Sequence, residues 1–226
     1  MEPVNEHPWN LDVEEALLLQ QKLATCVIQE DSLQKIETVA GVDVAYHPVS
    51  DALIAAVVVL DAVTLHPVQS VRVEDQVHFP YIPGLFSFRE LPPIIKAMKK
   101  LTLRPDLIVC DGQGIAHPRR FGLASHLGVL FDVPTIGCGK TRLVGSAQEP
   151  GQKRGDFTPL VDDDEVIGSL LRTQDHIKPV CVSIGHRISL ATARDWILKL
   201  SPRYRLPETT RQSDQLVRRA LAQSRQ

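Results

Sequence analysis

No two of the four cysteines, Cys26, Cys110, Cys138 and Cys181, stand at a C-x-x-C or other zinc-binding spacing, which excludes a structural zinc site or a redox pair built from them. Three of them fall in strand-like apolar runs and read as small core residues of a reducing compartment. No apolar run approaches the roughly 20 residues of a membrane span. The N-terminus, with Glu2, Pro3 and Glu6, lacks the basic-then-apolar order of a secretion signal, so the expected location is the cytoplasm. Gly139-Lys140-Thr141 has the end of a phosphate-binding loop without its beginning, because Pro134 occupies the place of the first glycine. A nucleoside triphosphatase of that kind is rejected. The acidic run from Asp162 to Glu165 lacks EF-hand spacing and reads as a solvated turn. Repeats, low-complexity tracts and linkers are also missing, so the 226 residues, 43% of them hydrophobic, are expected to form one domain (1–226) around a full core.

A net charge of -2 argues against a surface covered in positive charge, but the charges are unevenly placed. From Asn10 to Asp75 there are 11 acidic residues against three basic ones, from His117 to Arg154 six basic against two acidic, and from Lys199 onward seven against two. Such segments can present a local phosphate-binding face, and they can equally be scattered solvated charges.

In chain order, Asp12 and Glu15 fit a capping box that opens an amphipathic helix running to about Gln29, whose role is packing. Strands follow at 38–46, 52–61 and 64–77, joined by short turns that suit an antiparallel meander. Two prolines hold Tyr81 and Ile82 in a stiff loop, where Tyr81 is either offered to a partner or anchors the loop. Ser87 and Glu90 have capping-box spacing. Pro92 and Pro93, tolerated only in a first turn, move the expected helix to about Arg89–Leu103 and place Glu90 at its entrance, facing the sheet edge.

The chain is organised around Asp106 to Arg120. Leu107 to Cys110 is an apolar run of the kind buried on both faces. Asp111, followed by Gly112 and Gly114, sits where open parallel sheets bind ligands. Alone, Asp-Gly is a turn signal. A second carboxylate, Asp43, interrupts the apolar strand from Val39 to Ala45, where an ionised group is costly unless paired, hydrogen-bonded or bound to a cation. Two such strands side by side would make a metal site. A helix is expected from about Gly122 to Phe131, then strands at 134–138, 166–172 and 179–184, and helices at 189–200 and 207–223. Lys140, at a strand end, is either a point charge for a phosphate or an ordinary exposed lysine. Asp214 stands four residues from Arg218 in the last helix, the spacing of an intrahelical ion pair.

The order strand-Asp, helix-Glu, strand-Asp, late helix-Asp resembles the ribonuclease H-like nuclease fold, an α/β mixed sheet of three antiparallel strands followed by parallel strands, flanked by helices. In that fold the first and fourth strands are neighbours. Within it the chain resembles endonuclease V from about residue 12 to 220. The segments that carry the likeness are Gly41-Val42-Asp43-Val44, Pro80-Tyr81-Ile82-Pro83-Gly84 through Phe88-Arg89-Glu90, Asp111-Gly112-Gln113-Gly114 through His117-Pro118-Arg119-Arg120, Ala124-Ser125-His126, Val133-Pro134-Thr135-Ile136-Gly137 through Lys140, and Arg205-Leu206-Pro207-Glu208.

The resemblance implies a Mg²⁺-dependent endonuclease, with Mn²⁺ as a substitute ion, that acts as a monomer on DNA containing deoxyinosine and cuts the second phosphodiester bond on its 3′ side. Asp43 and Asp111 would hold the ion. Glu90 would orient the attacking water or hold a second ion, Lys140 would stabilise developing phosphate charge, and Asp214 would be an outer carboxylate. Tyr81 and Pro83 would wedge into the gap left by the extruded base. Backbone groups around Gly112, Gly114 and Gly139 would read that base, with His117, Leu123 and Leu143 lining the pocket and Arg119 in the substrate-binding set. Gly139 stands where relatives often have Ala, and Thr209 where a Pro is usual. Inosine-containing RNA is the alternative substrate, and a non-catalytic nucleic-acid-binding module is the alternative outside enzymes.

Overall fold

The computed structural model describes residues 1–32 and 35–223. Its elements are α1 (Val13–Ala24), β1 (Thr38–Tyr46), β2 (Ala52–Asp61), β3 (Pro67–Gln76), α2 (Phe86–Lys99), β4 (Leu107–Cys110), α3 (Leu123–Phe131), β5 (Thr135–Gly139), β6 (Phe157–Asp162), β7 (Glu165–Leu171), β8 (Val180–His186), α4 (Leu190–Leu200) and α5 (Glu208–Gln223). One eight-stranded mixed sheet runs in the order β3-β2-β1-β4-β5-β8-β7-β6. The meander β1-β2-β3 is antiparallel, and β4 and β5 then run parallel to β1. Beyond β5 the direction reverses, with β8, β7 and β6 antiparallel in turn.

Every residue of β4 is fully buried, as expected of a central parallel strand covered on both faces. Burying Leu107, Ile108 and Val109 contributes about 1.5–3 kcal/mol each. On one face Val42, Val44 and Ile108 pack under α2 and α3. On the other, Val39, Leu107 and Val109 pack under α4, while Ile54 and Ala56 meet Val217 and Ala220 of α5.

Several expectations need correction. The Asp12–Glu15 capping box is formed, but α1 ends at Ala24, five residues short of Gln29. The third strand begins at Pro67, because the Asp61 carboxylate accepts hydrogen bonds from the N–H groups of Val63 and Thr64 and holds 61–64 as a turn. Asp163 and Asp164 are both left-handed, as befits a tight turn, and that turn joins β7 to β6, a strand the sequence did not reveal. The largest correction is α2. It starts at Phe86, its N-cap Leu85 makes no side-chain cap, and Pro92 and Pro93 lie inside it. Ser87 does not cap the helix; it bonds His126 instead. Glu90 is therefore one turn into the helix and buried, not at its entrance.

α5 lies across β1 at Gly41, where an added Cβ would collide with the Thr209 carbonyl. Only glycine permits that approach. Among the described residues no helix is long and apolar enough to cross a membrane.

Candidate active site

Strand register sets the two aspartates side by side. Val42 pairs with Cys110 in the parallel β1–β4 ladder, so Asp43 and Asp111 are each the next residue along strands spaced about 4.8 Å apart. Side chains alternate along β1, so Asp43 shares the face of Gly41, the one α5 crosses. α2 brings Glu90 to the same edge, where the Tyr46 hydroxyl donates to Glu90 Oε1 at 3.2 Å.

These carboxylates repel. Asp43 is pushed up to about 7, first by burial and then by the charge of Asp111, with Asp214 adding and Lys140 opposing. Glu90 is held well above the ordinary glutamate value by burial and then by Asp43. Lys140 answers them most directly, its Nζ lying 2.5 Å from Asp111 Oδ2, and the Arg89 charge opposes the shift of Glu90. Burial works against the Lys140 charge, but its hydrogen bond to Asp111 and the charges of Asp111, Asp43 and Asp214 together outweigh that, and its pKa lies above the ordinary lysine value. Asp214 forms the i, i+4 pair, accepting from Arg218 Nε at 2.7 Å, while its charge also reaches Asp43. It is thus paired and part of the acidic cluster.

The donor set fits a hard divalent cation. Burial and then the charge of Asp111 raise Asp43, and Asp43, Asp111 and Glu90 all offer oxygen. Among the described residues no three His, Cys, Asp or Glu side chains converge closely enough to hold an ion by themselves. Mg²⁺ commonly takes only one or two carboxylates and fills its octahedron with water and phosphate. Asp43 and Asp111 are the pair placed for this.

Beside the carboxylates opens a cavity of about 350 Å³. Tyr81, Pro83, Asp111, Gly112, His117, Leu123, Gly139, Lys140 and Leu143, expected from four separate stretches, all line it. Tyr81 is 67% exposed at the lip, its ring edge-on to Phe86, so it faces solvent and does not anchor the loop. His117 is buried and its pKa falls to about 4, chiefly through burial and secondarily through Arg119. Its Nδ1 accepts from the Arg119 N–H at 3.1 Å, which leaves the ring proton on Nε2.

Of the residues expected to bind the substrate, two do not line the cavity. Gly114 donates its N–H to Ser183 Oγ at 2.8 Å and accepts from Gly122 N–H at 2.9 Å, so its backbone is committed to packing. Arg119 turns its guanidinium to Gln20 and to the Gly84 carbonyl.

Sequence reasoning missed several contributors. Gln113 donates to the Thr141 carbonyl at 2.9 Å, tying the loop after β5 to the loop after β4. Arg205 donates to the carbonyls of Lys140 at 2.7 Å and Pro179 at 2.9 Å, fixing the backbone that carries the lysine. Gln20 lines the cavity from α1. Its signal was a polar residue one turn beyond Ala16 on the buried side of the helix.

The endonuclease V family model matches residues 21–215. An endonuclease V from Nocardia farcinica is 52% identical over 209 residues, covering 92% of each chain. The crystal structure of the endonuclease V from Streptomyces avermitilis superposes with a TM-score of 0.92 at 48% identity, covering 96% of both chains. That of Ciona intestinalis endonuclease V, solved with a 23mer DNA containing an inosine followed by a ribo-adenosine, superposes with a TM-score of 0.83 at 28% identity, covering 93% of this chain and 97% of that one.

Proposed function

The chain belongs to the endonuclease V family, and from that premise we propose that it is a Mg²⁺-dependent endonuclease which recognises deoxyinosine in DNA and hydrolyses the second phosphodiester bond on its 3′ side, leaving 3′-hydroxyl and 5′-phosphate ends. The observation that carries this reading is the juxtaposition of Asp43 and Glu90 with Asp111 and Lys140, the last two of which line a cavity of about 350 Å³.

Asp43 and Asp111 would hold the ion. When bound, Mg²⁺ would neutralise charge on the scissile phosphate and lower the pKa of water. Glu90 would position the attacking water and take its proton. Lys140 would leave Asp111 for the phosphate oxygens as their charge grows, a stabilisation worth about 3–4 kcal/mol at comparable sites. Arg205 keeps the Lys140 backbone in place for that exchange. Extruding the lesion base costs a few kcal/mol, and stacking of Tyr81 in the gap returns about 1–3. The base would enter against Gly112, Gly139, Leu123 and Leu143. His117 stays neutral at pH 7, so it adds no charge beside an uncharged purine.

The test is strand nicking of an inosine-containing oligonucleotide, run in parallel on matched DNA and RNA. DNA is expected to be the faster substrate, and faster RNA cleavage would move the assignment to an inosine-directed ribonuclease. If Asp43→Ala or Asp111→Ala nicks at the wild-type rate in Mg²⁺, the ion is held elsewhere. Binding without nicking by the wild type would leave only a nucleic-acid-binding module.

A further inference from the structure

The loop 79–85 carries Tyr81, yet little of it is buried beyond Phe79 and Leu85. Arg89 holds its start through the Phe79 carbonyl at 2.9 Å, and Phe79, Ile82 and Leu85 join one apolar cluster; its tie to the cavity wall is the carbonyl of Gly84. Gln20 Nε2 donates to that carbonyl at 2.9 Å and to the Phe121 carbonyl at 2.8 Å. Arg119 Nη2 donates to the same Gly84 oxygen at 2.7 Å, while Arg119 Nε donates to Gln20 Oε1. The Arg119 N–H holds the His117 ring. Gly84 has φ +81°, and an added Cβ would strike the Arg119 guanidinium, so its glycine suits both the turn and the clamp.

Gln20 is 1% exposed and uses both its amide oxygen and its amide nitrogen. Its partners come from two segments far apart in sequence: the loop that presents Tyr81 and the loop that presents His117. Helix packing alone would be served by a leucine at this position. An amide that bridges the lip of the cavity to its wall does something packing does not require.

We propose that Gln20 is a positioning residue for lesion recognition: with Arg119 it struts the Tyr81 loop against the His117 loop, so that the wedge and the base pocket keep one spacing. This rests on the reading of the chain as an inosine-directed nuclease. The strut acts on which DNA is held and not on the phosphate chemistry, because neither Gln20 nor Arg119 touches Asp43, Asp111, Glu90 or Lys140.

The experiment is a double-mutant cycle between Gln20→Met, which keeps volume but loses every hydrogen bond, and Tyr81→Ala. Affinities for inosine-containing and undamaged duplexes are measured without divalent ions, and kcat is measured at saturating inosine DNA in Mg²⁺. Gln20→Met is expected to lower the preference for inosine DNA about tenfold and change kcat less than threefold. Combined with Tyr81→Ala it should cost no more than Tyr81→Ala alone, because both act through one loop. A buried glutamine with a purely structural role would lower thermal stability and leave that preference intact. Additive effects, or wild-type preference in Gln20→Met, overturn the proposal. Should Gln20→Met not fold, Arg119→Lys, which keeps the charge but loses the fork, enters the same cycle with the same outcomes. A wild type that does not prefer inosine DNA sinks the functional reading itself, whereas a preferring wild type with an additive cycle sinks only the strut.

Discussion

Asp43→Asn should make the metal-free protein more stable at pH 8 while abolishing its response to Mg²⁺. Burial and the neighbouring Asp111 push the Asp43 carboxyl from 3.8 up to about 7. Between those values the folded protein keeps a proton that the unfolded chain has released, so the contribution of Asp43 to stability is greatest below pH 4 and falls as pH rises towards 7. The gap corresponds to at most about 4 kcal/mol lost by pH 8, at about 1.4 kcal/mol for each pH unit. Asparagine is neutral throughout and escapes that loss. Binding of a divalent ion reverses it in the wild type, but only once the proton has left. About one Asp43 in ten is ionised at pH 6 and about nine in ten at pH 8, so the apparent Mg²⁺ affinity should fall roughly tenfold between pH 8 and pH 6. Urea unfolding of both proteins at pH 6 and pH 8, with and without Mg²⁺, reads each quantity. A variant less stable than the wild type at pH 8 without divalent ions, or an Mg²⁺ midpoint that ignores pH, would refute the reasoning.

Lys140→Ala should lower kcat about 10²- to 10³-fold with lesion affinity retained; single-turnover cleavage beside equilibrium binding would show it, and unchanged turnover would remove Lys140 from the site. Gly41→Ala puts a methyl group into the Thr209 backbone, so α5 must shift; a loss of about 1–3 kcal/mol in urea unfolding is expected, together with reduced nicking as Asp214 moves. His117 has the opposite pH slope to Asp43: its folded pKa of about 4 lies below the unfolded 6.5, so stability present above 6.5 is lost as pH falls towards 4. About 2 kcal/mol should disappear between pH 7 and pH 5, and His117→Gln should recover that part of the acid loss in chemical denaturation.

The strands bearing Asp43 and Asp111 were legible because a carboxylate inside or ending a run of β-branched residues has few bland explanations. β1, β2 and β4 fall on the expected residues for the same reason. β6 was hidden: its burial pattern offers one buried position, Leu160, and it carries Pro159, so neither an apolar run nor clean alternation announces it. The start of α2 was misplaced because proline rules describe isolated helices, whereas here Leu91, Ile94 and Met98 are fully buried and packing holds the helix through Pro92 and Pro93. Gln20 escaped notice because periodicity sorts polar residues to the outside, and nothing local shows that a carbonyl 64 positions away needs a donor. Gly114 misled in the other direction, since a glycine that admits a ligand and one that admits another strand look alike until β8 is in place.

Because Asp43 and Asp111 are held by adjoining hydrogen-bonded strands, their separation depends on the sheet alone and is indifferent to what the surface loops do. On the proposed function, the spacing of the pair that would hold the ion is therefore set apart from the loop that would wedge into the duplex. On the same reading, segment 79–85 could be reshaped while Asp43 and Asp111 keep their spacing, but a different target base would also require changes at Gly112, Leu123, Gly139 and Leu143, which line the cavity.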